Sequence, residues 1–112
     1  MSSGGTPARV AEHVAAFNQA VRSADWDAFT DRFAADATLD FPGLPVGPFS
    51  GHAQIAGAYA GQPPTDTLTV SDVSSAGPVD TVQFRWSAGG TGVMTITWHD
   101  GLVSRLDVTF GS

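Results

Sequence analysis

The chain of 112 residues contains no cysteine and no lysine, and only 14% of its residues are charged. Without cysteine, it has no disulfide framework, no thiol nucleophile and no cysteine-ligated metal. The net charge is −6, and five arginines supply all the strongly basic side chains. Binding to nucleic-acid phosphates or to an anionic membrane needs clustered cations. We therefore expect neither a nucleic acid nor a membrane as a partner.

Other signals are missing as well. The three histidines lie far apart and form no HxxxH pair, so we expect no metal and no cofactor. No stretch of about 18 apolar residues could span a bilayer. Residues 1–5 are small and polar, without the basic start and apolar run of a signal peptide, which predicts a cytoplasmic protein. We expect residues 1–6 to be disordered and residues 7–112 to form one domain.

Three helices are predicted, because apolar residues recur at helical spacing in three places. The first helix follows Pro7 and ends near Arg22, and Ser23 or Asp25 can cap the second. Ser50 or Gly51 opens the third. The apolar stripes are, in chain order, Val10, Val14, Phe17 and Val21; then Trp26, Phe29 and Phe33; then Ile55 and Tyr59.

The rest of the chain alternates between apolar and polar residues, as strands do. A short strand is predicted at 37–41 and longer ones at 67–73, 79–88, 93–98 and 103–110. Asp100-Gly101 between the last two runs is a strong hairpin signal. Helices followed by a strand meander predict an α+β fold, a cone-shaped curved antiparallel sheet wrapped around three N-terminal helices. The apolar loop at 42–48, with three prolines, either rims a pocket in this cone or packs flat on it.

Four stretches carry a family resemblance: residues 24–28, residues 33–39, residues 51–55 together with Tyr59, and the turn at 100–103. On these residues the chain resembles the nuclear transport factor two-like, or SnoaL-like, superfamily. The resemblance implies a cystatin-like α+β roll. It implies no single activity, since that fold hosts isomerases, cyclases, epoxide hydrolases, dehydratases and binding domains.

The ketosteroid isomerase branch is the most similar. It uses a carboxylate base, a tyrosine and a protonated aspartic acid. The resemblance places these at Phe41, Phe17 and Met94, which are all apolar here. The isomerase mechanism is therefore not available in that form. Asp40, beside Phe41, is the best remaining candidate base, although strand alternation points it away from the pocket unless a bulge turns it.

The epoxide hydrolase branch is less similar. It uses an Arg-x-Asp pair, whereas residues 85–87 read Arg-Trp-Ser. Asp107 would supply its last-strand carboxylate only after a register slip. Matching the Asp-Gly turn to the family instead puts Leu106, Val108 and Phe110 inside and leaves Asp107 outside with Arg105, which avoids burying two charges.

We therefore expect an apolar cavity that binds a small hydrophobic molecule of polycyclic or polyketide-like type. Its expected lining is Phe17, Phe33, Phe41, Tyr59, Phe84, Trp86, Met94, Leu106 and Val108. The alternatives are an isomerase, cyclase or dehydratase with an unusual acid–base set, and a structural dimerisation domain with a filled cone. The acid–base candidates are Asp40 as base, His13 as base or proton relay, and Tyr59 as donor.

A homodimer is expected because the surface carries few charged groups. Part of the uncharged surface would then be buried in a subunit interface. The interface would be the outer face of the sheet. That face is predicted to carry Gln83, Arg85, Thr95, Thr97, Arg105 and Asp107.

Overall fold

The computed structural model describes residues 6–61 and 63–110. Three helices and six strands follow one another in these ranges. The helices are α1 (Ala8–Ser23), α2 (Trp26–Thr30) and α3 (His52–Gly61). The strands are β1 (Phe33–Asp40), β2 (Phe49–Ser50), β3 (Leu68–Ala76), β4 (Val79–Trp86), β5 (Thr91–His99) and β6 (Leu102–Phe110). Apart from Thr6, the segment expected to be disordered lies outside the described residues. None of the helices described is long and apolar enough to cross a membrane.

Helix α1 presents its apolar stripe to the sheet. Val10, Val14 and Phe17 are buried along it, as their spacing predicted. The helix ends where Ala24 adopts a left-handed conformation, with φ of 64°, and donates its N–H to the Ala20 carbonyl at 2.8 Å. This is the usual way for a helix to satisfy its last carbonyls, although glycine is the commoner residue there.

Helix α2 is shorter than the sequence predicted. The Asp25 side chain caps it by accepting a hydrogen bond from the Ala28 N–H, and the helix ends at Thr30. The placement of Phe33 on this helix was wrong, because Phe33 begins β1 and pairs with Val103 of β6. Its spacing from Trp26 fits a helix, but pairing with the sheet decides the local structure.

The six strands form one sheet in the order β2-β1-β6-β5-β4-β3. The α+β class and the curved sheet over three helices are confirmed. All neighbouring pairs are antiparallel except β1 and β6, which run parallel. The hairpin predicted at Asp100-Gly101 joins β5 to β6. Asp100 there has φ of 51° and Gly101 has φ of 80°, the positive values that such a tight turn requires.

The register of β6 is the one with the apolar interior. Leu106 and Val108 are buried, whereas Arg105 is exposed and donates to the carboxylate of Asp107 at 2.9 Å. The register slip that an epoxide hydrolase site would need is therefore absent. Asp107 belongs to the outer face, where its charge is paired with a surface arginine.

One buried charge was not foreseen. Asp80 on β4 is fully buried and accepts four hydrogen bonds. Arg9 donates two of them, at 2.6 and 3.0 Å, Ser75 donates one at 2.6 Å and the indole N–H of Trp98 donates one at 2.9 Å. Arg9 also donates to the Gly77 carbonyl at 3.0 Å. This network ties the start of α1 to the β3–β4 hairpin and to β5.

Candidate binding cavity

An inner chamber of about 160 Å³ lies between the helices and the concave face of the sheet. Its wall is almost entirely hydrocarbon, with one imidazole, one phenol and one indole among the described side chains. Every helix and five of the six strands, or the residues next to them, contribute to it. The lining is His13, Val14, Phe17, Phe29, Phe41, Tyr59, Pro64, Leu68, Phe84, Trp86, Met94, Leu106, Val108 and Phe110.

A second space of about 250 Å³, the outer chamber, adjoins the inner one. Four residues line both chambers and form the boundary between them: Phe41, Tyr59, Pro64 and Phe110. The outer chamber is completed by Leu39, Leu44, Val46, Phe49 and Ala58. The proline-rich loop thus supplies the cavity rim through Leu44 and Val46, which are 45% and 42% exposed.

Aromatic rings form the boundary. The rings of Phe41 and Phe110 are parallel to within 4°, with centroids 6.2 Å apart. Trp86 also packs against Phe110, with ring centroids 6.1 Å apart and 24° between the planes. Phe110 itself is 44% exposed, so the boundary of the two chambers includes a ring that partly faces solvent.

Eight of the nine residues expected to line the cavity do so. Phe33 does not line either chamber, because it lies in the core against Phe29 at 5.5 Å between ring centroids. The three positions that the isomerase resemblance assigns to catalysis, Phe17, Phe41 and Met94, all line the inner chamber. The three residues that the resemblance aligns with the isomerase's catalytic groups therefore lie in one cavity wall, and all three are apolar.

His13 lies on α1 within the lining and is 2% exposed. Its ring packs against Phe29 at 5.2 Å and edge-on to Trp98 at 6.1 Å. Burial, reinforced by the nearby positive charge of Arg32, lowers the pKa of His13 to about 3. The imidazole is therefore neutral at physiological pH, and so weak a base is poorly suited to remove a proton.

Tyr59 lies on α3 and borders both chambers. Its ring stacks on Trp26 at 5.0 Å, with 6° between the planes, and meets Phe29 edge-on at 5.3 Å. Burial raises the pKa of the phenol, so Tyr59 keeps its proton and can only donate or accept a hydrogen bond at neutral pH.

Asp40 is not among the residues that line either chamber. Its carboxylate accepts the Phe41 N–H at 2.9 Å and lies 3.8 Å from the guanidinium of Arg105 on the outer face. The side chain on the pocket side is its neighbour Leu39, which is fully buried. The structure therefore does not bring Asp40 together with His13 and Tyr59, and the bulge that would turn it inward is not found there.

Besides His13, which was expected as an acid–base group, five lining residues were not in the expected set: Val14, Phe29, Pro64, Leu68 and Phe110. Phe110 could have been included, because the predicted register already placed it on the inner face. Phe29 belonged to the predicted α2 stripe but was not included in the expected lining. Pro64 lies between α3 and β3, where no periodic pattern fixes the path of the chain, and Leu68 begins β3, within the strand predicted at 67–73.

One known protein family and many solved structures match this chain. The model of the SnoaL-like domain matches residues 14–108 of the chain. The protein belongs to the SnoaL-like family. No curated protein matches this SnoaL-like chain.

Many solved structures share the fold. A candidate ketosteroid isomerase from Kribbella flavida is 21% identical, with a TM-score of 0.73 over 93% of this chain and 78% of that one. A SnoaL-like protein of unknown function from Burkholderia thailandensis is 15% identical, with a TM-score of 0.76 over 96% and 98%. A hypothetical ketosteroid isomerase-like protein from Catenulispora acidiphila, solved with trimethylamine, is 17% identical, with a TM-score of 0.75 over 93% and 85%. At these identities the likeness shows the fold alone.

Proposed function

We propose that this SnoaL-like protein binds a small hydrophobic molecule of polycyclic or polyketide-like type in its inner chamber. The observation that carries the proposal is a nearly continuous hydrocarbon wall around a space of about 160 Å³ that the described side chains do not occupy. An empty apolar cavity forfeits packing contacts, which a ligand of matching shape restores. A structural dimerisation domain, the third alternative, would fill this space with its own side chains. The volume of the inner chamber argues against that alternative.

The chamber sizes limit the ligand. A cavity of about 150 Å³ with an aliphatic and aromatic lining stays dry and holds one benzene ring. The inner chamber, at about 160 Å³, is therefore matched to one or two rings. Sites for drug-sized ligands are larger, about 300–1,000 Å³. A polycyclic ligand would extend through the aromatic boundary into the outer chamber.

Naphthalene is a suitable first probe, since it has no polar atom and Trp86 in the wall can report its arrival by fluorescence. A Val108→Phe variant adds a ring inside the inner chamber. Val93→Phe adds the same ring to the outer face of the neighbouring strand, where Val93 is 39% exposed. We expect saturable binding to the wild type and to V93F, and at least about tenfold weaker binding to V108F.

If naphthalene binds V108F as well as V93F, the ligand does not occupy the inner chamber and the proposed site is wrong. Absence of binding to the wild type across a set of one- to three-ring hydrocarbons would overturn the binding function itself. Circular dichroism of both variants checks that they fold.

Acid–base catalysis is the second candidate, and the presence of His13 and Tyr59 in one chamber favours it. Their pKa values leave both groups uncharged, so they would act as hydrogen-bonding groups rather than as a strong base. A benzisoxazole ring-opening assay and a steroid isomerisation assay test this candidate. Turnover that survives both His13→Ala and Asp40→Ala would exclude the proposed acid–base set.

We also propose a homodimer through the outer face of the sheet. What supports it is that the charge of Arg105 is balanced within that face by Asp107 at 2.9 Å and by Asp40 at 3.8 Å. Val93 adds an exposed apolar group there. Light scattering after gel filtration should give twice the chain mass for the wild type and the chain mass for Thr95→Arg. A monomeric wild type at micromolar concentration contradicts the proposal.

A cytoplasmic location also stays a prediction, which cell fractionation tests.

A further inference from the structure

Two buried side-chain nitrogens within the described residues have no hydrogen-bond partner: Nδ1 of His13 and Nε of Arg32. Buried polar atoms without a partner are few in folded proteins, and each asks for an explanation. Arg32 lies close enough for its charge to act on His13, yet it is not among the residues that line the inner chamber. His13 therefore brings a buried nitrogen without a hydrogen-bond partner into an apolar wall.

The missing partner of Nδ1 indicates which tautomer the neutral ring adopts. A neutral imidazole carries its proton on one nitrogen and a lone pair on the other. Orphaned N–H groups are rarer than under-satisfied acceptors, and the positive charge of Arg32 also favours a lone pair over a proton nearby. Nδ1 thus carries the lone pair and Nε2 carries the proton.

Because Nδ1 is fully buried and the ring lines the chamber, Nε2 is the nitrogen left to meet a ligand. We infer that the bound molecule carries one uncharged acceptor oxygen, of the aryl ketone or quinone class, which accepts a hydrogen bond from Nε2 of His13. This inference rests on the proposed binding function and names the chemistry of its ligand. An ionised ligand is disfavoured, since the described wall of the inner chamber offers no charged side chain to pair with it.

Indane and 1-indanone form the test pair, because they share a ring skeleton of suitable size and differ by the carbonyl oxygen. Calorimetric titrations would measure the Kd of each for the wild type and for His13→Gln, His13→Asn and His13→Leu. The Gln amide reaches about as far as Nε2, whereas the Asn amide reaches about as far as Nδ1. His99→Leu is the control, as the His99 side chain is 74% exposed.

We expect H13L to weaken 1-indanone about threefold to tenfold and to leave indane within about twofold, as the loss of one hydrogen bond predicts. H13Q should keep the preference for the ketone, H13N should lose it, and H99L should match the wild type. Equal losses for both probes in H13L, or a preference retained by H13N and lost by H13Q, would overturn the inference while leaving the binding function intact. Failure of both probes to bind the wild type overturns this inference, and the binding function falls with it only when the one- to three-ring hydrocarbons fail to bind as well.

A second measurement does not depend on any variant folding. The ¹⁵N shifts of the His13 ring distinguish the two neutral tautomers directly. The shifts expected are those of a ring protonated on Nε2 and bare on Nδ1. A ring protonated on Nδ1 contradicts the inference even if ligands bind.

Discussion

Arg9 and Asp80 lie 71 positions apart in the chain, yet the guanidinium of Arg9 donates to both carboxylate oxygens of Asp80. The partners differ in exposure, since the Arg9 side chain is 38% exposed and that of Asp80 is fully buried. The hydrogen bonds from Arg9, with those from Ser75 and Trp98, hold the pKa of the Asp80 carboxyl below its ordinary value of 3.8. The buried carboxylate is thus the centre of the network and the arginine its solvent-facing cover.

Replacing Asp80 with Asn should destabilise the fold on the order of 2 kcal/mol, because four donors then face a neutral amide that can accept at only one atom. Urea unfolding followed by circular dichroism measures this. Asp72→Asn, an exposed aspartate on the neighbouring strand, is the control and should change stability by less than about 0.5 kcal/mol. Equal effects of the two substitutions would show that the network contributes nothing particular.

The lowered pKa of Asp80 also predicts acid sensitivity. Its contribution to stability is fully present above the unfolded pKa near 3.8 and is lost as the pH falls through the lower folded value. The difference in stability between wild type and D80N should therefore be constant from neutral pH down to about pH 4.5 and shrink below that. Unfolding curves at several pH values test it, and a difference that shrinks already between pH 7 and pH 5 contradicts it.

His13 should determine how stability depends on pH in a different range, between about pH 6.5 and pH 3. Its folded pKa, about 3, lies below the ordinary 6.5, so between these values the unfolded chain binds a proton that the folded chain does not. Stability should fall as the pH drops from 6.5 towards 3, by up to about 1.4 kcal/mol per pH unit. His13→Phe should remove most of this slope, whereas the exposed His99→Gln should keep it. A wild type whose stability is level from pH 7 to pH 5 would show that His13 takes up a proton in the folded state.

Alternation along the strands made most of the cavity wall predictable from the sequence. Phe84 and Trp86 share one face of β4, and Leu106 and Val108 share one face of β6, because side chains two residues apart point the same way. The neighbouring strand then fixes which face is inside. Asp80 has the same parity as Phe84, so its inward direction could also have been inferred.

Contacts between residues distant in the chain could not be predicted in this way. Nor could the choice between helix and strand where a residue fits both spacings. The partners of Asp80 are distant in the chain, and nothing local to Arg9 or Trp98 indicates them. Phe33 fitted the helical spacing from Trp26, and only its pairing with Val103 shows that it starts a strand. The cavity volume is the difference between the volume that the helices and sheet enclose and the volume that their side chains fill. A pattern of residue types does not predict that difference.

Gly92 on β5 gives a prediction for the inner wall. A Cβ atom built there would lie 2.5 Å from Cζ of the Phe84 ring and 3.0 Å from the Thr109 carbonyl oxygen. Gly92→Ala should therefore push the Phe84 ring towards the chamber, destabilise the fold by about 1–3 kcal/mol and weaken naphthalene binding. Thermal unfolding and fluorescence titration measure the two effects.

Gly57 offers the opposite expectation and serves as the control. It lies inside α3, and within the described part of the chain no atom beyond its chain neighbours and the local helix backbone comes within 4 Å of a Cβ built there. Gly57→Ala should stabilise the fold by about 0.5–1 kcal/mol, because alanine loses less backbone entropy in a helix, and should leave binding unchanged. If G92A and G57A shift stability in the same direction, the close contact at Phe84 does not constrain the wall.

Phe110 should control entry to the inner chamber. Its ring packs against both Phe41 and Trp86, lines both chambers and is itself 44% exposed. Removing the ring in Phe110→Ala widens the passage, so the association and dissociation rates of naphthalene should both rise, dissociation more because a packing contact is lost as well. Stopped-flow fluorescence separates the two rates. Leu102→Ala removes a side chain of similar exposure, 38%, from the other end of β6 and should change neither rate. Unchanged rates in F110A would mean that the ligand enters by another route, and a slower dissociation would contradict the role of Phe110 as the boundary.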